Sequence, residues 1–299
     1  MKRFRFKKID AFTSLRSQGN PAGAVYLNED HTITDEEMLR IARELKGFVS
    51  EVGYVQRSGE DTVHLKYYSS EREVEFCGHA TIAIMYDLIR EDPSLQRIPF
   101  LRIVTNKGTL LVENRIMEQD AVFISSPLPR FSPGKVGTED LAAALRTGTG
   151  SLDTDLPVEV VNAGLETLIV PVRSLDAVLS LAPDLHELKR FCIGIEVDII
   201  TVFTPEVSDN ASLYRTRVFA PTFGYLEDPA TGSGNAALGY YLLKHGKWDG
   251  NIASLEQNGS RENPNTIRIC TQEQEGTDKV VMFGGNATVR IEGEYLLMS

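Results

Sequence analysis

Glu73-Val-Glu-Phe-Cys-Gly-His-Ala-Thr-Ile-Ala-Ile-Met-Tyr86 is the stretch whose reading decides the fold of this chain. It begins charged, passes through Cys77, Gly78 and His79, and continues as an uncharged run to Tyr86. At helical period the run is apolar on every side, which predicts a helix buried all round. Such a helix, entered through a glycine, leaves its first backbone N–H groups without intrahelical partners. Those donors and the helix dipole favour an anion, such as a substrate carboxylate.

The pattern occurs twice. Asp228-Pro-Ala-Thr-Gly-Ser-Gly-Asn-Ala-Ala-Leu-Gly-Tyr-Tyr-Leu-Leu243 again passes from acidic residues through glycine into an uncharged run that lasts until Lys244. Aligning Cys77-Gly78-His79 with Thr231-Gly232-Ser233 sets Tyr86 on Tyr240, and 231 minus 77 is a shift of 154, about half of the 299 residues. A repeated buried helix with an open start predicts a duplicated domain whose two helix starts face one site.

Length and composition agree with this reading. A chain of 299 residues predicts two domains. With 42% hydrophobic and 24% charged residues it has the composition of a soluble globular protein. The net charge of −11 argues against a nucleic-acid or anionic-membrane partner. The basic start Met1-Lys-Arg-Phe-Arg-Phe-Lys-Lys8 has no apolar stretch after it, as a signal peptide requires, and no window reaches the length of a membrane span. Three cysteines (Cys77, Cys192, Cys270), odd in number and far apart, indicate neither a disulfide framework nor a zinc motif, and the expected location is the cytoplasm.

Between the helices, short alternating stretches predict strands: Phe4–Phe12, Ala22–Leu27, Phe48–Val55, Thr62–Tyr68, Phe100–Val104, Gly108–Val112 and Ala121–Ile124. Thr34 and Glu37 form a capping box for a helix that Gly47 stops. Ser126-Pro-Leu-Pro-Arg-Phe-Ser-Pro-Gly134 reads as the linker, followed by a short capped helix over Thr138–Arg146. The order then recurs: strands Val158–Asn162 and Thr167–Val172, a helix Asp184–Arg190, strands Glu196–Thr204 and Leu213–Phe219, then the second buried helix. Thr266–Cys270, Lys279–Phe283, Ala287–Ile291 and Tyr295–Met298 read as a closing meander. The fold class expected is α+β, two similar domains, each a strongly curved, mostly antiparallel sheet wrapped around a central buried helix. Residues 1–127 form the first, which the last strand (287–299) can join, and residues 128–286 the second.

Proton-moving enzymes place a carboxylate in a water-poor setting. Glu51 fits, lying within Phe48-Val-Ser-Glu-Val-Gly-Tyr-Val55 with no basic neighbour in sequence, although a strand carboxylate more often faces solvent. His79 reads either as a helix-capping histidine or as a neutral donor kept uncharged by the positive helix end. Asp228, before Pro229, reads as an Asx turn or as a partner for a substrate hydroxyl or amine. Cys77 invites a nucleophile reading, but its repeat mate is Thr231, so the two-thiol arrangement of a racemase is only half present. Gly232-Ser-Gly-Asn-Ala-Ala237 imitates the start of a dinucleotide fingerprint but lacks the apolar strand that must precede it.

Asp10-Ala-Phe12 with Gly19-Asn-Pro-Ala-Gly23, Ser50-Glu51, Cys77-Gly-His-Ala-Thr81 and Glu227-Asp-Pro-Ala-Thr-Gly-Ser233, in that order, resemble the PhzF family of phenazine-biosynthesis-like proteins over nearly the whole chain. The resemblance implies a diaminopimelate epimerase-like fold with the active site in the interdomain cleft, and a homodimer. It implies Glu51 as the acid/base that moves a proton between carbons on one substrate face, with His79 and Asp228 around the polar substituents. Ser50, Gly78, Gly232 and Ser233 would bind the substrate, the last three through its carboxylate. The implied reaction is similar to isomerisation of trans-2,3-dihydro-3-hydroxyanthranilate, without metal or organic cofactor. Gly234, where alanine is common, and Glu262-Asn-Pro-Asn265, where Gly-Arg-Pro-Ser is usual, depart from the family pattern and bear on which substrate is used. The alternatives are an epimerase or racemase using Cys77 and a catalytically silent small-acid binding or interaction protein.

Overall fold

The computed structural model describes residues 1–14, 16–28, 32–273 and 279–298. The chain forms two compact units, Met1–Ser125 with Gly284–Ser299, and Ser126–Phe283.

In the first unit, strand Lys2–Ala11 lies between two antiparallel neighbours, Asn20–Tyr26 and Ala287–Leu297. Asn20–Tyr26 runs parallel to Glu51–Ser58, which pairs antiparallel with Thr62–Ser69. Thr62–Ser69 also pairs with the short Glu73–Val74 and, in parallel, with Phe100–Thr105. Gly108–Arg115 and Ala121–Ser125 continue the sheet antiparallel. The capping box of Thr34 and Glu37 opens helix Asp35–Glu44, whose buried Met38, Ile41 and Ala42 pack with Tyr54 and Tyr68.

The second unit repeats the plan. Glu166–Pro171 runs parallel to Ile199–Thr204, which pairs antiparallel with Ser212–Phe219. Ser212–Phe219 pairs with the short Glu227–Asp228 and, in parallel, with Ala253–Gln257, which continues into Asn265–Gln272. Glu73–Val74 and Glu227–Asp228 stand 154 positions apart, the offset that relates the two central helices.

Those helices are Gly78–Glu91 and Gly232–Lys244. Ala80 through Ile89 are all buried in the first, and Gly234 through Leu242 in the second, so each is enclosed on every side by its own unit's sheet, as the apolar runs predict. The first helix runs past Tyr86 because its next residue, Asp87, is buried with a partner. Lys7 Nζ, only 1% exposed, donates to both Asp87 oxygens at 2.9 and 2.8 Å, and the Tyr26 hydroxyl donates to Oδ2 at 2.6 Å.

Several boundaries differ from the sequence reading. The proline-rich stretch taken as linker contains strand Arg130–Pro133, which pairs with Glu159–Asn162; prolines are tolerated there because a neighbour is needed on one side only. Phe48–Ser50 lie outside the strand that begins at Glu51. Helix Thr138–Ala144 has Gly137 as its N-cap residue and therefore no side-chain cap. The predicted break between Ile291 and Tyr295 is absent, because Ala287–Leu297 is one strand held along Lys2–Ala11 in spite of Gly293. Helices Pro93–Gln96, Ile116–Gln119 and Leu175–Ser180 and strand Ala253–Gln257 were not anticipated. Among the described residues no helix is long and apolar enough to cross a membrane.

Candidate active site

In the first unit the site is built at the start of the central helix. Glu51 opens its strand between two neighbours, in register with Ala22 on one side and Ser69 on the other. Its carboxylate therefore sits at a strand mouth and not along an exposed face. Cys77 is the extended N-cap residue, Gly78 the first helical residue and His79 the second. Glu51 Oε2 lies 3.4 Å from His79 Nε2, and the two side chains keep 18% and 11% of their exposure. Cys77 Sγ lies 3.4 Å from His79 Nδ1, and Cys77 is 8% exposed. The three functional groups lie within 4.8 Å of one another although 26 positions separate Glu51 from Cys77.

Pro21 supports this cluster from the adjacent strand. Its carbonyl accepts the Ser50 amide at 3.2 Å and also a hydrogen bond from the His79 ring. Burial pushes the His79 imidazolium down to about 4, and the Pro21 carbonyl opposes that shift. The histidine is thus neutral at physiological pH, as expected, but the cause is desolvation where the sequence pointed to the helix dipole. A neutral ring makes the Glu51 contact something other than an ion pair.

The helix start is anchored from within. Thr81 Oγ1 donates to the Cys77 carbonyl at 2.7 Å and shares a 2.6 Å hydrogen bond with the Tyr67 hydroxyl. Asn235, 154 positions later, does the same in the second unit, donating through Nδ2 to the Thr231 carbonyl at 2.8 Å. Thr81 and Asn235 are each the polar residue four positions into an otherwise apolar run, and that interruption was the available sign of their anchoring role.

In the second unit Asp228 is not in a turn. It belongs to strand Glu227–Asp228, paired with Val218, and is 8% exposed; its Oδ2 accepts the Thr231 hydroxyl. The segment between Asp228 and the helix wraps around the buried amide of Gln257. Gln257 Oε1 accepts the Thr231 amide at 2.9 Å and Asn235 Nδ2 at 2.6 Å. Its Nε2 donates to the Asp228 carbonyl at 2.7 Å and to Thr231 Oγ1 at 3.1 Å. Asn265 adds a 2.7 Å bond to the Pro229 carbonyl. Gln257 was missed, and Asn265 stood out only as a departure from the family pattern, because nothing local connects either residue to the loop it fixes. Gly232 and Ser233 begin the helix, and a Cβ at Gly232 would stand 2.1 Å from the Phe283 ring, so only glycine fits that close approach. Gly234 is hemmed in by Thr201, Val218 and Ile199, which gives a packing reason for the missing methyl group.

Each unit therefore brings its own predicted residues together: Ser50, Glu51, Cys77, Gly78 and His79 in one, and Asp228, Gly232 and Ser233 in the other. The first set can hold and move a proton; the second offers a carboxylate beside backbone donors at a helix start.

A family model described as phenazine biosynthesis-like protein matches residues 9–293. An uncharacterised isomerase of Bacillus subtilis (strain 168) is 30% identical over 288 residues, 95% of this chain and 96% of the relative. The trans-2,3-dihydro-3-hydroxyanthranilate isomerase of Pseudomonas fluorescens is 28% identical over 241 residues, 80% of each chain. Among solved structures, a PhzF-family phenazine biosynthesis protein of Bacillus anthracis aligns with a TM-score of 0.88 at 26% identity, over 99% of this chain and 100% of the other. The α+β class read from the sequence is the class of that structure.

Proposed function

This chain belongs to the PhzC-PhzF family of phenazine biosynthesis-like proteins, and from that premise we propose that it is an isomerase of a small carboxylate-bearing metabolite working by general acid/base proton transfer. The reading rests above all on Glu51, a carboxylate at a strand mouth with its Oε2 3.4 Å from a half-buried histidine. In the proposed step the Glu51 carboxylate removes a proton from a substrate carbon. The electron pair of the broken C–H bond moves into the substrate π system, and the carboxylic acid returns the proton to another carbon on the same face. No oxidant or reductant is consumed.

His79 orients Glu51 and contacts a polar substituent without carrying charge. Asp228 holds a substrate hydroxyl or amine. The amides of Gly78, Gly232 and Ser233 take the substrate carboxylate, the charge type that helix starts favour, and Ser50 contributes to binding. Names among the relatives support the isomerase class and offer trans-2,3-dihydro-3-hydroxyanthranilate as the first compound to try. The test is a turnover screen of small cyclic and acyclic carboxylic acids, including that compound, followed by Glu51→Gln on any substrate found. A variant retaining full activity would refute the role of Glu51.

A second reading has its own observation. Cys77 Sγ lies 3.4 Å from His79 Nδ1 at the N-cap of the helix, a position that favours a thiolate able to act as the base in epimerisation. Deuterium exchange at a stereocentre that disappears in Cys77→Ser would favour this reading over the Glu51 shuttle.

A further inference from the structure

Three unlike donors meet at the start of the first central helix. His79 Nε2 stands 3.4 Å from Glu51 Oε2 and 4.0 Å from Cys77 Sγ, and the donor atoms all lie within 4.8 Å of one another. Zinc holds nitrogen and oxygen ligands at about 2.0–2.2 Å and thiolate at about 2.3 Å, so tetrahedral geometry sets donor pairs roughly 3.3–3.6 Å apart. The Glu51–His79 separation is already of that size, and small side-chain rotations suffice for the rest. We propose that Glu51, Cys77 and His79 form a three-ligand site for a thiophilic divalent cation of the zinc class, and that its occupation switches off proton transfer.

The donor chemistry selects the metal. A thiolate with an imidazole and a carboxylate suits zinc, cobalt or cadmium, whereas magnesium and calcium take oxygen ligands alone. The setting also fits. His79 is already fixed by a hydrogen bond to the Pro21 carbonyl, the backbone partner that metal-binding histidines commonly have. Thr81 ties the Cys77 carbonyl at 2.7 Å, which steadies the thiol-bearing residue. Residual exposure of 11% at His79 and 18% at Glu51 leaves a mouth for the ion to enter and for water to fill the fourth position. On binding, a sulfur–metal bond forms, and the thiol proton is released to solvent. A Glu51 oxygen bound to the metal can no longer accept a proton from carbon. The binding stands on geometry alone; the inhibition rests on the role proposed above for Glu51.

The test uses the full chain, reduced and stripped of metal. Titration with Co²⁺ is expected to give one ion per chain, with tetrahedral visible bands and a thiolate charge-transfer band in the near ultraviolet. Zn²⁺ should displace the cobalt and quench both. Cys77→Ser should abolish the thiolate band, and His79→Gln should weaken Zn²⁺ at least about tenfold, since even residues behind the ligands change affinity 10- to 100-fold. A wild-type cobalt complex without the thiolate band overturns the site, whatever the variants do, and so does a band that survives Cys77→Ser. On a substrate from the screen, Zn²⁺ should inhibit and a chelator should restore the rate. Stoichiometric binding without inhibition overturns the switch and counts against the Glu51 mechanism, whereas absent binding leaves that mechanism untouched.

Discussion

Replacing Gln257 by leucine removes the amide around which the Asp228–Gly232 segment is wound while nearly keeping its volume. Four hydrogen bonds disappear: those to the Thr231 amide, Asn235 Nδ2, the Asp228 carbonyl and Thr231 Oγ1. At about 0.5–1.5 kcal/mol net for each, the loss is about 2–6 kcal/mol. The position is fully buried, so water cannot replace the missing partners. For a unit of this size a mid-range loss of about 4 kcal/mol lowers Tm by about 8–16 °C. Urea and thermal unfolding of wild type and Gln257→Leu, followed by circular dichroism with the slope in urea fitted for each, measure this directly. A destabilisation below about 1 kcal/mol at unchanged slope would refute the claim that this side chain holds the second helix start in place.

Lys7→Met should cost about 3–5 kcal/mol, because it leaves the buried Asp87 carboxylate with the Tyr26 hydroxyl but without its cation; denaturant unfolding checks this, and partial recovery in a Lys7→Met, Asp87→Leu double variant would confirm the cause. His79 titrates near 4 when folded and near 6.5 when unfolded. Between those values the unfolded chain holds a proton that the native one lacks, so stability rises with pH through this window and is lost as pH falls from about 6.5 to about 4. The contribution is about 3 kcal/mol. Ring chemical shifts of His79 in metal-free protein should stay those of neutral imidazole at pH 5.5, and a midpoint near 6.5 would contradict the burial argument.

What the sequence disclosed and what it concealed divide along physical lines. The two central helices were legible because burial on all sides leaves a long uncharged and mostly apolar run, and the 154-residue offset was visible because both runs begin at glycine. Glu51 and His79 were nameable as candidates, but their 3.4 Å approach depends on Pro21, Ser50 and the parallel pairing of two strands, none of which leaves a local pattern. Gln257 was hidden for the same reason: it acts on residues 22 to 29 positions away. Asp87 looked like the end of a helix because a charge in an apolar run normally marks one. Only the fold supplies Lys7, 80 positions earlier in the chain, to neutralise it. Strand Arg130–Pro133 was hidden by prolines, which mark linkers and edge strands alike.

The claim that matters most is that one carboxylate moves the proton. It is tested by the turnover number of Glu51→Gln relative to wild type, on a substrate taken from the screen and with the fold of the variant verified by circular dichroism. General acid/base catalysis contributes about a hundred- to ten-thousand-fold, and the rate should fall by that factor. A variant that turns over within about twofold of wild type, far below that range, would mean that hydrogen moves by another route.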